Sequence, residues 1–199
     1  MNYLAHIFLS NNKSQIQVGN FIGDFVKGKK LNHFPKQIAY GISIHRKIDE
    51  FTDSHPVVRE TVSFLRPAFG RYSAIILDMY FDFMLANNFK LYSSNKSLII
   101  FSYQFYFYTL LNYRHLPQKV KNFIFHFIFT NRLQKYKTYK GLKQSLAIME
   151  KYKSSAIKPD LSIEFLENNL NLIETNFNLF MPDLIEFVNN EFCCQSSKN

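Results

Sequence analysis

Ile75-Ile76-Leu77-Asp78-Met79-Tyr80-Phe81-Asp82-Phe83-Met84-Leu85 is a run of large, mostly apolar side chains that holds two aspartates four residues apart. From Ile75 to Phe89 there is no breaker, so the stretch predicts a helix buried on most of its sides. An ionised carboxylate removed from water is costly unless it is paired, protonated or bound to a cation. Asp78 and Asp82 therefore call for a partner. The plain alternative to a cation is a structural salt bridge to Arg46 or Arg71.

Outward from this run, breakers are sparse. The 199 residues include only 6 Gly and 6 Pro, too few for the regular turns of a sandwich or barrel of short strands. The expected class is all-α, a single compact multi-helix domain over 1–192 with a frayed tail at 193–199. Ile38, Ile42, Ile44 and Ile48 recur at helical spacing after Pro35, which suits a first helical turn, and this helix ends by Asp53. A short helix follows Ser54 and Pro56, closed by Pro67 and Gly70. An aromatic helix starts at Ser93. The second half predicts helices over 118–129, 139–151, 161–180 and 182–192, with Pro159 and Pro182 as boundaries. The 22 Phe and 12 Tyr supply an aromatic core.

Cys193 and Cys194 are adjacent, so they build neither a disulfide framework nor a spaced metal site. The N-terminus lacks a basic region ahead of its first apolar stretch, against a secretory signal. The longest uncharged run, Ser97 to Tyr113, is interrupted by Ser102, Gln104 and Asn112 and is too short to span a bilayer. A cytoplasmic protein is expected. The net charge of +9 suits an anionic partner of some kind, and its sign alone does not choose among nucleic acid, membrane surface and acidic protein. Lys27, Lys29, Lys30, Lys36, Arg46 and Lys47 form one loose basic group; Arg132, Lys135, Lys137, Lys140 and Lys143 form another.

His45, Asp49 and Asp53 are spaced by four, forming a polar line on one face of the helix after Pro35, flanked by Arg46 and Thr52. Such spacing lets ligands on adjacent turns share one cation, although a solvated helix face has the same pattern. Asp24, in Gly19-Asn20-Phe21-Ile22-Gly23-Asp24, adds another carboxylate among apolar neighbours. Aspartates and an imidazole without a thiol suit Mn²⁺, Fe²⁺ or Mg²⁺ better than structural zinc. Such a cation activates water and polarises a phosphoryl oxygen, while Arg46 or Lys47 takes up phosphate charge. His6 could be a ligand, but a lone histidine in a short apolar stretch is more often a satisfied core residue. His33, His55, His115 and His126 have no companion at ligand spacing.

Order and spacing of Met1-Asn2-Tyr3-Leu4-Ala5-His6, Gly19 to Asp24, Gly41 to Asp49 with Thr52-Asp53, and Asp78 to Asp82 resemble the bacterial acyl carrier protein phosphodiesterases. A weaker match runs through Asn131, Tyr136 and Gly141 to Glu174, Phe177, Phe180 and Pro182. The resemblance implies an all-helical enzyme, distantly similar to HD-domain metallophosphohydrolases, that uses Mn²⁺ to hydrolyse the phosphodiester between 4′-phosphopantetheine and a serine of acyl carrier protein. It makes Asp24, His45, Asp49, Asp78 and Asp82 candidate metal ligands or water-activating groups. Asn20, Arg46 and Thr52 become phosphate contacts or supports behind them, with Lys47 beside them. Which carboxylate serves as base stays open.

The family usually has a histidine directly after the second aspartate of Asp-x-x-x-Asp, where this chain has Phe83. His6 or Asn87 is the nearest group to compensate. The acidic carrier protein fits the chain's positive charge, and the reading includes neither nucleic acid nor membrane insertion. The rivals are a carrier-binding protein without turnover, a basic protein of nucleic-acid or membrane surfaces, and a metal-dependent phosphohydrolase with another phosphoester.

Overall fold

The computed structural model describes residues 1–11, 13–93, 96–152 and 154–196, and among these there are helices and no strands. In chain order they are α1 (Tyr3–Phe8), α2 (Ser14–Ile22), α3 (Lys36–Ser54), α4 (Pro56–Phe69), α5 (Ser73–Asn87), α6 (Phe89–Tyr92), α7 (Leu98–Leu111), α8 (Gln118–Phe129), α9 (Arg132–Lys135), α10 (Tyr139–Tyr152), α11 (Pro159–Asn168) and α12 (Leu170–Ser196). The protein is all-α. A 3₁₀ turn, Gly23–Phe25, ends α2.

As its composition requires, α5 runs through the interior, buried from Ile76 to Ala86 except at Asp78. It packs against α1, α4, α10 and α12. The core joins apolar side chains from Met1 to Phe192, with Phe81 stacked on Phe180 and set edge-on to Phe177.

Two prolines lie inside helices rather than at their ends. Pro67 sits within α4, and Pro182 within α12, which continues past Phe192 to Ser196; residues 197–199 of the expected tail fall outside the described residues. An internal proline removes a helical hydrogen bond. Around Pro182, however, Phe180, Met181 and Leu184 are fully buried, and this packing outweighs the lost bond. The break falls instead between Asn168 and Leu170.

The pair α2 and α3 positions the site, because glycines let their backbones nearly touch. A Cβ at Gly41 would lie 2.3 Å from the Ile16 carbonyl oxygen, and one at Gly19 would lie 2.1 Å from that of Ile38. Neither obstacle is a flexible side chain. Gly41→Ala is expected to force the helices apart at a cost of about 2 kcal/mol, seen as a lower urea midpoint at unchanged slope; an unaltered midpoint would show the crossing to be slack.

The six residues of α1 are too few for a helix that stands alone. Asn2 caps it, its side chain accepting from the Tyr3 N–H at 2.8 Å. The next two orphan donors, the N–H groups of Leu4 and Ala5, donate to Asp82 Oδ2 and Oδ1 at 2.8 and 3.0 Å. One buried carboxylate of α5 thus holds α1 in place. No helix among the described residues is long and apolar enough to cross a membrane.

Candidate metal centre

His45 and Asp49, one turn apart on α3, face the C-terminal end of α1 and the turn after α2. His45 Nε2 lies 3.1 Å from Asp49 Oδ2 and 3.4 Å from Asp24 Oδ1. His6 stacks on His45 with ring centroids 4.0 Å apart, and its Nε2 is 3.2 Å from Asp49 Oδ1. One ligand atom from each of His6, His45 and Asp49 falls within 4.8 Å of the others. The approach of the turn needs glycine, since a Cβ at Gly23 would lie 2.2 Å from the His45 ring.

Hydrogen bonds fix the tautomer of His6. Asn20 donates through Nδ2 to the His6 carbonyl at 2.7 Å and to Ser10 Oγ at 3.0 Å. Its Oδ1 is therefore the acceptor 2.9 Å from His6 Nδ1, which must carry the proton. Burial, then repulsion from His45, lowers His6 to about 4, so the ring is neutral at neutral pH. Its bare Nε2 then faces two more acceptors, Asp49 Oδ1 and, at 3.1 Å, the Met1 carbonyl oxygen.

His45 shows the same want of a cation. Both its ring nitrogens are buried, and neither is in hydrogen-bond geometry with a described residue. Burial alone would lower its pKa, but the carboxylates of Asp24 and Asp49 outweigh that and push it up to about 9. Burial likewise favours the neutral form of Asp49, yet the two histidines hold its carboxyl far below the usual range. His45, close against Asp24, holds that carboxyl low too. A divalent cation fits this donor set of imidazole lone pairs and carboxylates, and would displace the His45 proton on binding.

The other sequence candidates fall in different places. Asp78 lies 3.1 Å from the Met1 ammonium, which is 3.8 Å from Asp49; burial raises its carboxyl against the pull of that charge. Asp82 is fully buried, raised by burial to about 7, and engaged with α1 as described, so it stands apart from the triad. Neither aspartate pairs with Arg46 or Arg71 among the described residues: Arg46 donates to the carbonyls of Val26 and Gly28, and Arg71 to the Tyr72 hydroxyl.

The phosphate candidates are similarly engaged. Lys47, about 200° around the helix from His45, pairs with Glu191 of α12. Thr52 is buried and donates to the Ile48 carbonyl at 2.7 Å, and Asn20 is fully buried behind His6. Arg46 secures the loop carrying Lys27, Lys29 and Lys30, all exposed. His6, for which sequence reasoning gives the core reading the greater weight, joins the triad; its partner Asn20 lies in a second matching segment, 14 residues on, and only the fold brings the two together.

Removing the Asn20 amide leaves the His6 N–H without its acceptor and the ring free to turn. Asn20→Ala is expected to weaken Mn²⁺ binding about 10- to 100-fold, measured by calorimetric titration. Equal affinity in variant and wild type would refute this role.

Beside the centre opens a cleft of ≈ 710 Å³. Met1, Asp24 and Asp78 lie along its wall, together with Phe25, Phe123, Phe127 and Tyr136 and the basic side chains of Lys119, Arg132 and Lys151. Phe83 is absent from that wall: it is buried, stacked on Tyr139 at 4.9 Å. Asn87 is bound to the Phe83 carbonyl.

Fold and site together define an all-helical protein with a histidine–aspartate triad suited to a metal ion, at the edge of a basic and aromatic cleft. A family model described as acyl carrier protein phosphodiesterase matches residues 1–184, and the chain belongs to that family. The protein of that name from Serratia proteamaculans (strain 568) is 28% identical over 187 residues, 94% of this chain and 96% of the relative. Those from Salmonella agona (strain SL483) and Yersinia pestis are 38% and 36% identical over 88 residues, so the matched part spans a little under half, 46%, of each. No solved structure matches.

Proposed function

We propose that this chain hydrolyses the phosphodiester linking 4′-phosphopantetheine to a serine of acyl carrier protein, releasing the apo carrier. The observation that carries the reading is the gathering of two buried imidazoles, His6 and His45, against the carboxylates of Asp49 and Asp24, with Asp24 on the wall of the cleft. His6, His45 and Asp49 would hold a divalent cation, Mn²⁺ by resemblance, in the manner of HD-domain-like metallophosphohydrolases. Such an ion polarises a phosphoryl oxygen and makes water more acidic. Asp24, more exposed than Asp49 and 3.4 Å from His45, is placed to accept the proton of the attacking water. Asn20 keeps His6 in its ligand tautomer.

The aromatic side of the cleft suits the pantetheine arm. Lys119 and Lys151 on the cleft wall, and the exposed Lys27, Lys29 and Lys30 in the loop that follows Asp24, supply positive charge for an acidic carrier protein. The reading places the protein in the cytoplasm, with its substrate. Phe83 supports retained activity, because its ring is packed on Tyr139 away from the centre.

The test is to incubate the protein with holo acyl carrier protein and Mn²⁺ and follow the carrier's mass. Loss of the phosphopantetheine arm, blocked by a chelator, is the expected result. An intact arm despite measurable binding would favour a carrier-binding protein without turnover.

A further inference from the structure

Once Arg46, Lys47, Thr52 and Asn20 are accounted for, the substrate phosphate has no partner among the groups the sequence put forward. One cation of the cleft is placed differently from all of them. Arg132 is only 9% exposed, lines the cleft, and forms no salt bridge among the described residues. A buried guanidinium normally has an anion. Its electrostatic neighbours include the phenols of Tyr3, Tyr106 and Tyr136, all raised above their ordinary range, chiefly by burial. Neutral phenols do not cancel its charge.

The surrounding fold is built to hold this residue at the cleft. Asn131 adopts a left-handed conformation (φ 47°, ψ 56°) immediately before it, turning the chain from α8 into α9. The Tyr106 hydroxyl secures that turn, donating to Asn131 Oδ1 at 3.1 Å and accepting from the Leu133 N–H at 2.9 Å. At the other end of α9 a Cβ on Gly141 would lie 2.1 Å from the Lys135 carbonyl oxygen, so α10 closes down on α9 only because that position is glycine. Tyr3, Asp24 and Arg132 line the same cleft, so the guanidinium and the carboxylate beside His45 open onto one space.

We infer that Arg132 is the phosphate-binding residue of the cleft, holding the phosphate of a 4′-phosphopantetheine arm through the fork of its guanidinium; the inference rests on the proposed function. A planar fork donates two parallel hydrogen bonds to phosphate oxygens, and the poorly hydrated interior strengthens them. Lys119 and Lys151, both exposed, add charge at the rim.

Binding of free 4′-phosphopantetheine, with pantetheine as the control lacking phosphate, tests this without any need for turnover. Calorimetry on Arg132→Gln is expected to show at least a tenfold loss of affinity for 4′-phosphopantetheine with pantetheine binding unchanged, and Arg132→Lys should recover part of it. Wild-type affinity in Arg132→Gln, or an equal loss for both ligands, would overturn the assignment. Turnover measured in parallel separates the two ideas, since the arm-binding result stands whether or not the carrier is hydrolysed. Should the variants not fold, the Arg132 Nε–H resonance of the wild-type protein is expected to shift on titration with 4′-phosphopantetheine and not with pantetheine; a signal unmoved by either overturns the assignment.

Discussion

His45→Ala is expected to reduce turnover of holo acyl carrier protein by at least about a thousandfold while leaving the helical fold in place. Three acidic or basic groups depend on this one ring: it stacks on His6 and sits 3.1 and 3.4 Å from Asp49 and Asp24. Without it, two carboxylates and one neutral histidine remain, a poorer set for any divalent ion. Alanine is a strong helix former, so α3 itself does not suffer. Circular dichroism and Mn²⁺ titration on the same preparation distinguish a lost ligand from a lost fold. Turnover within tenfold of wild type would remove the triad from the chemistry.

The second large effect concerns stability. Asp82→Ala strips the acceptors from two buried N–H groups at the start of α1 and leaves a hole beside the buried α5. Each unsatisfied donor costs roughly 1–3 kcal/mol. The variant is relieved of a carboxyl that burial disfavours, so about 3 kcal/mol net is the expected loss in urea unfolding. Because Asp82 anchors α1, the loss should be present with a chelator as well as with Mn²⁺. A destabilisation that appears only with Mn²⁺ would instead make Asp82 a ligand.

Much of this was legible in the sequence for simple reasons. Scarce breakers and fourfold spacing are properties of the helix itself, so the all-α class and the pairing of His45 with Asp49 on one face required no tertiary information. Asp82 was harder. A carboxylate inside an apolar run looks the same in sequence whether it faces a cation or the end of another helix, and only the docking of α1 distinguishes the two. Lys47 and Thr52 were drawn toward the site by proximity along the chain, although the helix turns Lys47 to α12 and buries Thr52. His6 and Arg132 share a different difficulty: nothing within their own short segments marks them out, and the groups around each come from remote parts of the chain. Pro182 shows propensity yielding to packing, since the apolar neighbours that hold α12 together are contributed mainly by other helices.

The bonds from Asp82 to Leu4 and Ala5 join positions 78 and 77 residues apart, and this separation bears on how the protein reaches its working state. Contacts so remote in sequence carry a large entropic cost of closure and belong to the slow side of folding. His6 takes its place only when that closure is complete, so a partly folded chain has no centre to offer an ion. Under the proposed function, affinity for Mn²⁺ and resistance to unfolding would be two readings of one equilibrium: a bound ion would act as a clasp on the N-terminal segment, and melting temperature is expected to climb with Mn²⁺ concentration.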